Sequence, residues 1–266
     1  MCGVWHQSLL MLITNTFTFI DDYSRFTWIY FLHSKDEVFS VFKIFHAHIQ
    51  MQFSAQIKIL RSDNGGEYMS HLFQDFLQHH GIISQRSCPS TPQQNGVAER
   101  KNRHLLDIVR TLLLESSTPS RFWCKALFTA VHLINRLPSP TLNHDTPFIR
   151  LFGHPLTYSN LYTFGCVCYV HLPAHERTRL MAQSIQCAFL GYSVHQKGFL
   201  CYDPNLRRTQ ISKNVIFLEN QYFFSMHQDH VPPSFSVLPM FTNSSAALVL
   251  SKPLLVYQRR SSTTSH

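Results

Sequence analysis

Thr16 to Asp22 (TFTFIDD) and Phe26 to Leu32 (FTWIYFL) are two β-rich runs separated only by Tyr23-Ser24-Arg25. A connection that short cannot cross a sheet, so the runs are predicted to be adjacent antiparallel strands. Later segments of the chain must cover the faces of that hairpin. Ser34-Lys35-Asp36-Glu37 opens a helical pattern with Val38, Val41, Phe42, Phe45 and Ile49 on one face, and Ser34 with Glu37 fits a capping box. Ile57 to Leu60 reads as a short apolar strand, His71 to His80 as an amphipathic helix closed by Gly81, and Ile82 to Gln85 as another brief strand. Cys88 to Gly96 is loop, and helices are predicted from Val97 to about Glu115 and from Ser120 to about Leu137. Strands followed by helix–strand–helix–strand–helix give a mixed sheet flanked by helices.

Pro138 to Pro155 reads as linker, in which only Phe148 to Phe152 is apolar enough to pack. The period then changes. Tyr162 to Leu172, Ser184 to Tyr192, Gly198 to Tyr202 and Gln210 to Phe217 are short strands separated by turns, a small all-β, barrel-like module. The expected division is a core at 1–137, a linker at 138–157, the β module at 158–220 and a Ser/Pro/Asn-rich tail at 221–266.

Composition narrows the partners. A formal net charge of +8 favours an anionic one, without separating nucleic acid from an acidic membrane surface. Seven cysteines without a disulfide-framework spacing point to a reducing compartment. No run reaches the ~18 apolar residues of a membrane span. The apolar start, Met1 to Leu12, lacks a basic leader and is not read as a signal peptide.

Two motifs carry the chemistry. Asp63 lies in LRSDNGGEY (60–68), where a buried strand opens into a glycine turn that would let a phosphate backbone approach. Glu99 lies in TPQQNGVAER (91–100), where a polar loop feeds a basic helix whose first turn favours an acid. Acids at a strand end and a helix start, with residues 64–98 between them, can face each other across one cleft and hold a divalent metal. Singly, Asp63 fits an Asx turn and Glu99 a capping acid. Their pairing favours the metal, and Mg²⁺ prefers such hard oxygen ligands.

IDDYSR (20–25), LRSDNGGEY (60–68) and CPSTPQQNGVAERKNRHLLD (88–107) closely resemble the integrase core of Copia-type retrotransposon Pol polyproteins. FGCVCYV (164–170), FLGYSVHQKGFLCYDP (189–204) and NVIFLEN (214–220) resemble the β module that comes after it in that family. The resemblance covers residues 3 to 220. It implies a ribonuclease-H-like core that binds two Mg²⁺ (or Mn²⁺) ions through three acids, with Asp63 and Glu99 as catalytic metal ligands. The family's first catalytic Asp sits in a short motif upstream of IDDYSR. The nearest match here, Cys2-Gly3-Val4-Trp5-His6, places Gly3 at that ligand position. Asp21 is a candidate substitute, against the simpler reading of Asp21 and Asp22 as a structural pair bonding the Tyr23–Arg25 turn.

On the helix after the loop, Arg100, Lys101 and Arg103, together with His104 and Arg110, interleave with apolar Val97, Leu105, Ile108, Val109 and Leu112. The apolar set recurs at helical spacing, leaving the basic set beside Glu99 to neutralise phosphates or to stand as a solvated face. Gln93, Gln94 and Asn95 offer hydrogen bonds to bases or sugars, or form a plain surface turn. Cys166 and Cys168 read as core rather than zinc ligands, His79 and His80 as partners of helix-terminal carbonyls, and Trp123 as core. The resemblance implies DNA partners (element ends and target), homo-oligomers on DNA, no membrane, and a nuclear location by role. Gly3 predicts that strand transfer is mostly or wholly lost. The alternatives are a non-catalytic DNA-binding or assembly module and a transposon remnant without a cellular role.

Overall fold

Residues 15–88, 96–172, 182–193 and 196–226 are described by the computed structural model. The first two runs form β1 (Asn15–Ile20) and β2 (Thr27–Leu32), paired antiparallel with Phe19 opposite Trp28 and Phe17 opposite Tyr30. Strand alternation sends Phe17, Phe19, Trp28, Tyr30 and Leu32 to one face and Ile29 and Phe31 to the other. Each face needs its own cover, and the helices supply it.

The first face is covered by α1 (Val38–Phe53) and α3 (His71–His79). Val38, Phe42 and Phe45 of α1 meet Phe73 and Leu77 of α3 and Phe19 of β1 in one aromatic cluster, in which Phe19 stacks on Phe45 at 3.9 Å. Phe42 and Phe73 are fully buried. Each such side chain removed from water contributes about 1.5–3 kcal/mol. Entry into α1 differs from a capping box. Ser34 makes no side-chain cap, Lys35–Glu37 is a 3-10 turn, and the Glu37 carboxylate accepts from the His33 amide at 2.9 Å instead.

The other face receives α4 (Gly96–Glu115) and α5 (Trp123–Ile134). Leu105, Val109 and Leu113, four residues apart on α4, pack with Ala126, Leu127, Ala130 and Ile134 of α5 and with Ile29 and Phe31. Asn135, just past α5, clamps the start of β2 through its amide. The span read as linker is structured. It holds a 3-10 turn at Pro140–Leu142 and α6 (Pro147–Phe152), whose N-cap Thr146 accepts from the Ile149 amide at 3.1 Å; Leu142, Thr146 and Pro147 are buried.

Behind α4 and α5 lies a five-stranded antiparallel sheet in the order β8-β7-β6-β5-β9. Its strands are β5 (Cys166–His171), β6 (Ser184–Tyr192), β7 (Phe199–Asp203), β8 (Arg208–Ser212) and β9 (Val215–Tyr222). The single strand expected over 210–217 is thus two strands that turn at Lys213-Asn214, and the chain continues in order into α7 (Phe223–Met226), where Phe223 is buried. Register shifts at Cys166/Val167 and between Phe189 and Tyr192 curl the sheet. One face (Val167, Ala188, Leu190, Tyr202) joins the core of α4 and α5. The other holds Cys166, Cys168, Cys187, Phe189 and Cys201, all fully buried, inside the module. The helical half and the β module therefore share one core.

Two remaining strands position the site. β3 (Ile59–Ser62) pairs parallel with β4 (Ile83–Arg86), Ile59 opposite Ile83 and Ser62 opposite Arg86. Among the described residues the strands of the first half form two pairs, β1–β2 and β3–β4. The first-strand position at Cys2–His6, Gly3 included, lies outside the described residues.

Candidate functional site

β3 ends at Ser62, and Asp63 comes next as an exposed residue. The turn it opens is pinned from both sides. The Ser87 amide donates to the Ser62 carbonyl at 3.1 Å, and the Asn64 side chain donates to the Ser87 carbonyl at 2.8 Å. Asp63 Oδ1 accepts from the Gly65 amide at 3.1 Å, so the Asx turn forms, and it engages only one carboxylate oxygen. Gly66 then starts the short helix α2 (Gly66–Met69). Gly65 takes an ordinary negative φ of −56°, so the turn does not rely on a left-handed glycine; a Cβ there would meet the Glu67 carboxylate at 2.7 Å. Tyr68 sits beneath. Burial first, then the neighbouring Asp63 and Glu67 carboxylates, push its hydroxyl well above the usual tyrosine range.

Glu99 is half-buried in the first turn of α4, where backbone amides favour a carboxylate. Arg100 and Arg103 are exposed and Lys101 is half-buried on the same turns. The guanidinium of Arg100 lies over Gly96, 3.0 Å from where a Cβ would stand. Burial, and then the charge of Arg25, hold the Lys101 ammonium below the ordinary lysine range. Gln93, Gln94 and Asn95 lie outside the described residues.

The turn between β1 and β2 meets the strand that leads to Asp63. Asp21 Oδ2 accepts from the Ser24 amide at 2.8 Å and from the Ser24 hydroxyl at 2.6 Å, so its carboxylate is engaged in closing the turn. Asp22 faces outward and pairs with Arg25 at 2.8 Å and with Arg61 of β3 at 3.3 Å. The acids at 21 and 22 thus bond the turn, and Asp22 also ties it to the strand that carries Asp63. Sequence reasoning misses Arg61 and Arg25; only the adjacency of Arg61 to Asp63 and the Ser-Arg of IDDYSR hint at them.

Mg²⁺ would suit the donor chemistry of Asp63 and Glu99, which are oxygen ligands at the edge of solvent. Among the described residues, however, no group of three or more His, Cys, Asp or Glu side chains is placed to hold a metal ion. Asp63, Glu99 and Asp21 do not make a three-acid cluster. The cysteines of the β module are likewise core. Burial raises the thiols of Cys166 and Cys187 to about 12. His79 and His80 meet the Asp75 and Phe76 carbonyls at the end of α3 through Nδ1. No helix among the described residues is long and apolar enough to cross a membrane.

Two family models match the chain. The integrase core domain covers residues 13–92, which includes Asp63 and ends before Glu99, and the retroviral polymerase SH3-like domain covers residues 166–231. The retrovirus-related Pol polyprotein from transposon TNT 1-94 of Nicotiana tabacum is 39% identical over 85% of this chain and 18% of its own length. That from transposon RE2 of Arabidopsis thaliana is 41% identical over 84% of this chain and 15% of its own length. The chain therefore spans less than a fifth of these curated relatives. Among solved structures, a simian T-cell lymphotropic virus intasome in complex with PP2A regulatory subunit B56 gamma shares 18% identity, over 76% of this chain and 72% of that chain, at a TM-score of 0.44. The two matched segments fall on the hairpin with its Asp63 turn and on the five-stranded sheet, and the chain carries the integrase core domain and the retroviral SH3-like domain of Copia-type retrotransposon Pol polyproteins.

Proposed function

We propose that this chain handles DNA in integration as the core of a retrotransposon integrase, and that it does so with impaired strand transfer. The observation that carries the reading is the placement of Asp63 at the open end of β3, inside the integrase-core match, with Glu99 opening the basic helix α4. In this reading Asp63 and Glu99 hold Mg²⁺ or Mn²⁺, which when bound would activate an attacking hydroxyl and stabilise a leaving oxygen. Arg100, Lys101 and Arg103 neutralise backbone phosphates, and Gln93, Gln94 and Asn95 contact the DNA from the preceding loop.

Impairment rests on Gly3, which the resemblance places where the family carries its first acid. Asp21 does not compensate, because its carboxylate closes the β1–β2 turn. Two ligands leave a metal weakly held and a nucleophile poorly positioned. Assembly as oligomers on element ends and target DNA, with a nuclear location, completes the proposal.

The test is duplex binding and Mg²⁺- or Mn²⁺-dependent joining of an element-end DNA, comparing the chain with its Gly3→Asp variant. Duplex binding without joining, and joining gained by Gly3→Asp but lost again with Asp63→Asn, is the expected result. Joining by the unaltered chain at the level of a three-acid integrase would overturn the impairment. No duplex binding at low salt would overturn the DNA-handling role.

A further inference from the structure

The Arg25–Asp22–Arg61 arrangement is poorly explained as a stabilising device. Asp22 and Arg61 side chains are 67% and 66% exposed, and exposed pairs of this kind contribute little to stability. Its geometry is nevertheless tightly held. Arg61 is fixed twice, its Nε donating to Gln85 Oε1 at 2.9 Å and its Nη1 to Asp22 Oδ2 at 3.3 Å. Arg25 occupies the left-handed region at φ 59°, where glycine or asparagine would sit at less cost, and its amide donates to the Asp21 carbonyl at 2.8 Å. That unfavourable backbone delivers a guanidinium to Asp22 Oδ1 at 2.8 Å. One carboxylate thus holds two guanidiniums, from a turn and from a strand, at one spot. The cluster thus carries two cations against the single acid that binds them.

We propose that Arg25 and Arg61 form a cradle for one backbone phosphate of DNA, and that Asp22 is the positioning residue that aims the two guanidiniums. The inference rests on the DNA-handling role argued above and adds residues outside the α4 basic set. Arginine forks match the oxygens of a phosphodiester in a way that a lone ammonium does not. The cradle lies on β3, where Arg61 stands two positions before Asp63. A phosphate seated there would bring the adjoining backbone to Asp63.

The test is duplex binding of the full chain as a function of salt, with folding of each variant checked by its thermal melt. Each phosphate contact contributes about 0.9 to the slope of log K against log salt. Arg25→Gln and Arg61→Gln should each lower that slope, the two together by no more than about one, and each should weaken binding roughly 3- to 10-fold at low salt. Lys43→Gln, on the outer side of α1, should leave both unchanged. Arg61→Lys keeps the charge and is the substitute readout should Arg61→Gln fail to fold; it should keep the slope and bind more weakly. Asp22→Asn separates aiming from bulk charge. Removal of a negative charge alone tightens DNA binding, whereas loss of the anchor weakens it by more than about 3-fold, a difference of roughly 0.6 kcal/mol or more. Tighter binding by Asp22→Asn overturns the positioning role, and wild-type slopes for Arg25→Gln and Arg61→Gln overturn the cradle while leaving the DNA-handling role intact. Absence of duplex binding by the unaltered chain would remove both.

Discussion

Asn135 and Thr27 exchange two hydrogen bonds across 108 residues of sequence. The Thr27 amide donates to Asn135 Oδ1 at 2.9 Å, and Asn135 Nδ2 donates to the Thr27 carbonyl at 2.8 Å. A side-chain amide thus stands in for a neighbouring strand at the start of β2, and both residues are buried. Asn135→Ala leaves a buried backbone donor and acceptor without partners, at about 1–3 kcal/mol each. Asn135→Asp should be no better, because a carboxylate can accept from the Thr27 amide but repels its carbonyl. Urea unfolding should show both variants destabilised by about 2–6 kcal/mol. A loss below ~1 kcal/mol for Asn135→Ala would mean that the clamp is replaceable.

The seat of the β module on the helices depends on a close approach at Gly191. Its φ is +117°, and a Cβ there would stand 2.2 Å from Thr129 Oγ1 on α5. That hydroxyl is itself held by the Lys125 carbonyl at 3.0 Å. Gly191→Ala is expected to cost more than about 2 kcal/mol through the clash and the backbone together. Thr129→Ala removes the clashing oxygen but not the positive φ, so the pair of substitutions should recover roughly half of the loss in a double-mutant cycle. Strict additivity of the two would refute the contact as the cause.

Asp21 offers a direct contrast between a turn residue and a metal ligand. Asparagine keeps an acceptor for the Ser24 amide and hydroxyl, so Asp21→Asn should shift the melting temperature little, while Asp21→Ala should cost about 1 kcal/mol. Mn²⁺ titration should be the same for the unaltered chain and Asp21→Asn. A ligand role predicts the opposite ranking, with Asp21→Asn abolishing metal binding at unchanged stability.

Sequence periodicity is a good guide wherever the pattern runs long enough. The β1–β2 hairpin, the apolar face of α1 and the limits of α4 are set by alternation, helical spacing and the prolines and glycines between them. Short or polar signals mislead. Lys213-Asn214 turns the chain between β8 and β9 without glycine or proline, so Gln210 to Phe217 reads as one run. Residues 138–157 have a linker's composition, yet Leu142 and Pro147 are buried by tertiary contacts that a six-residue helix cannot announce in its own period. At the site, Asp63 and Glu99 sit where their motifs predict, at a strand end and in a first helical turn. The pairing of Asp22 with Arg61 is a contact across 39 positions and leaves no local trace. Whether a third acid exists turns on Gly3, a matter of sequence alone.

Stability should depend on pH through His132 on α5, whose ring stacks on Tyr192 of β6 at 3.9 Å with a 10° tilt. Burial, and then the charge of Arg136, push this histidine down to about 3 from an ordinary 6.5. Arg136 remains a cation over the Phe148 ring at 4.9 Å, so a proton on His132 would meet a like charge without relief. The unfolded chain takes up that proton below about 6.5 and the folded chain only near 3, so the unfolded state binds more protons between those limits. The contribution of His132 is therefore complete above about 6.5 and is lost as pH falls towards 3. A full proton of difference would make the slope about 1.4 kcal/mol per pH unit, and the partial exposure of the ring lowers it. His132→Phe keeps the stack on Tyr192 and removes the proton. The urea midpoint of the unaltered chain should fall from pH 6.5 to pH 4 more steeply than that of His132→Phe, and the two should run parallel above pH 7. Parallel curves across the whole range would mean that acid destabilisation arises elsewhere, and that His132 is either solvated enough to titrate normally or accommodated as a cation beside Arg136.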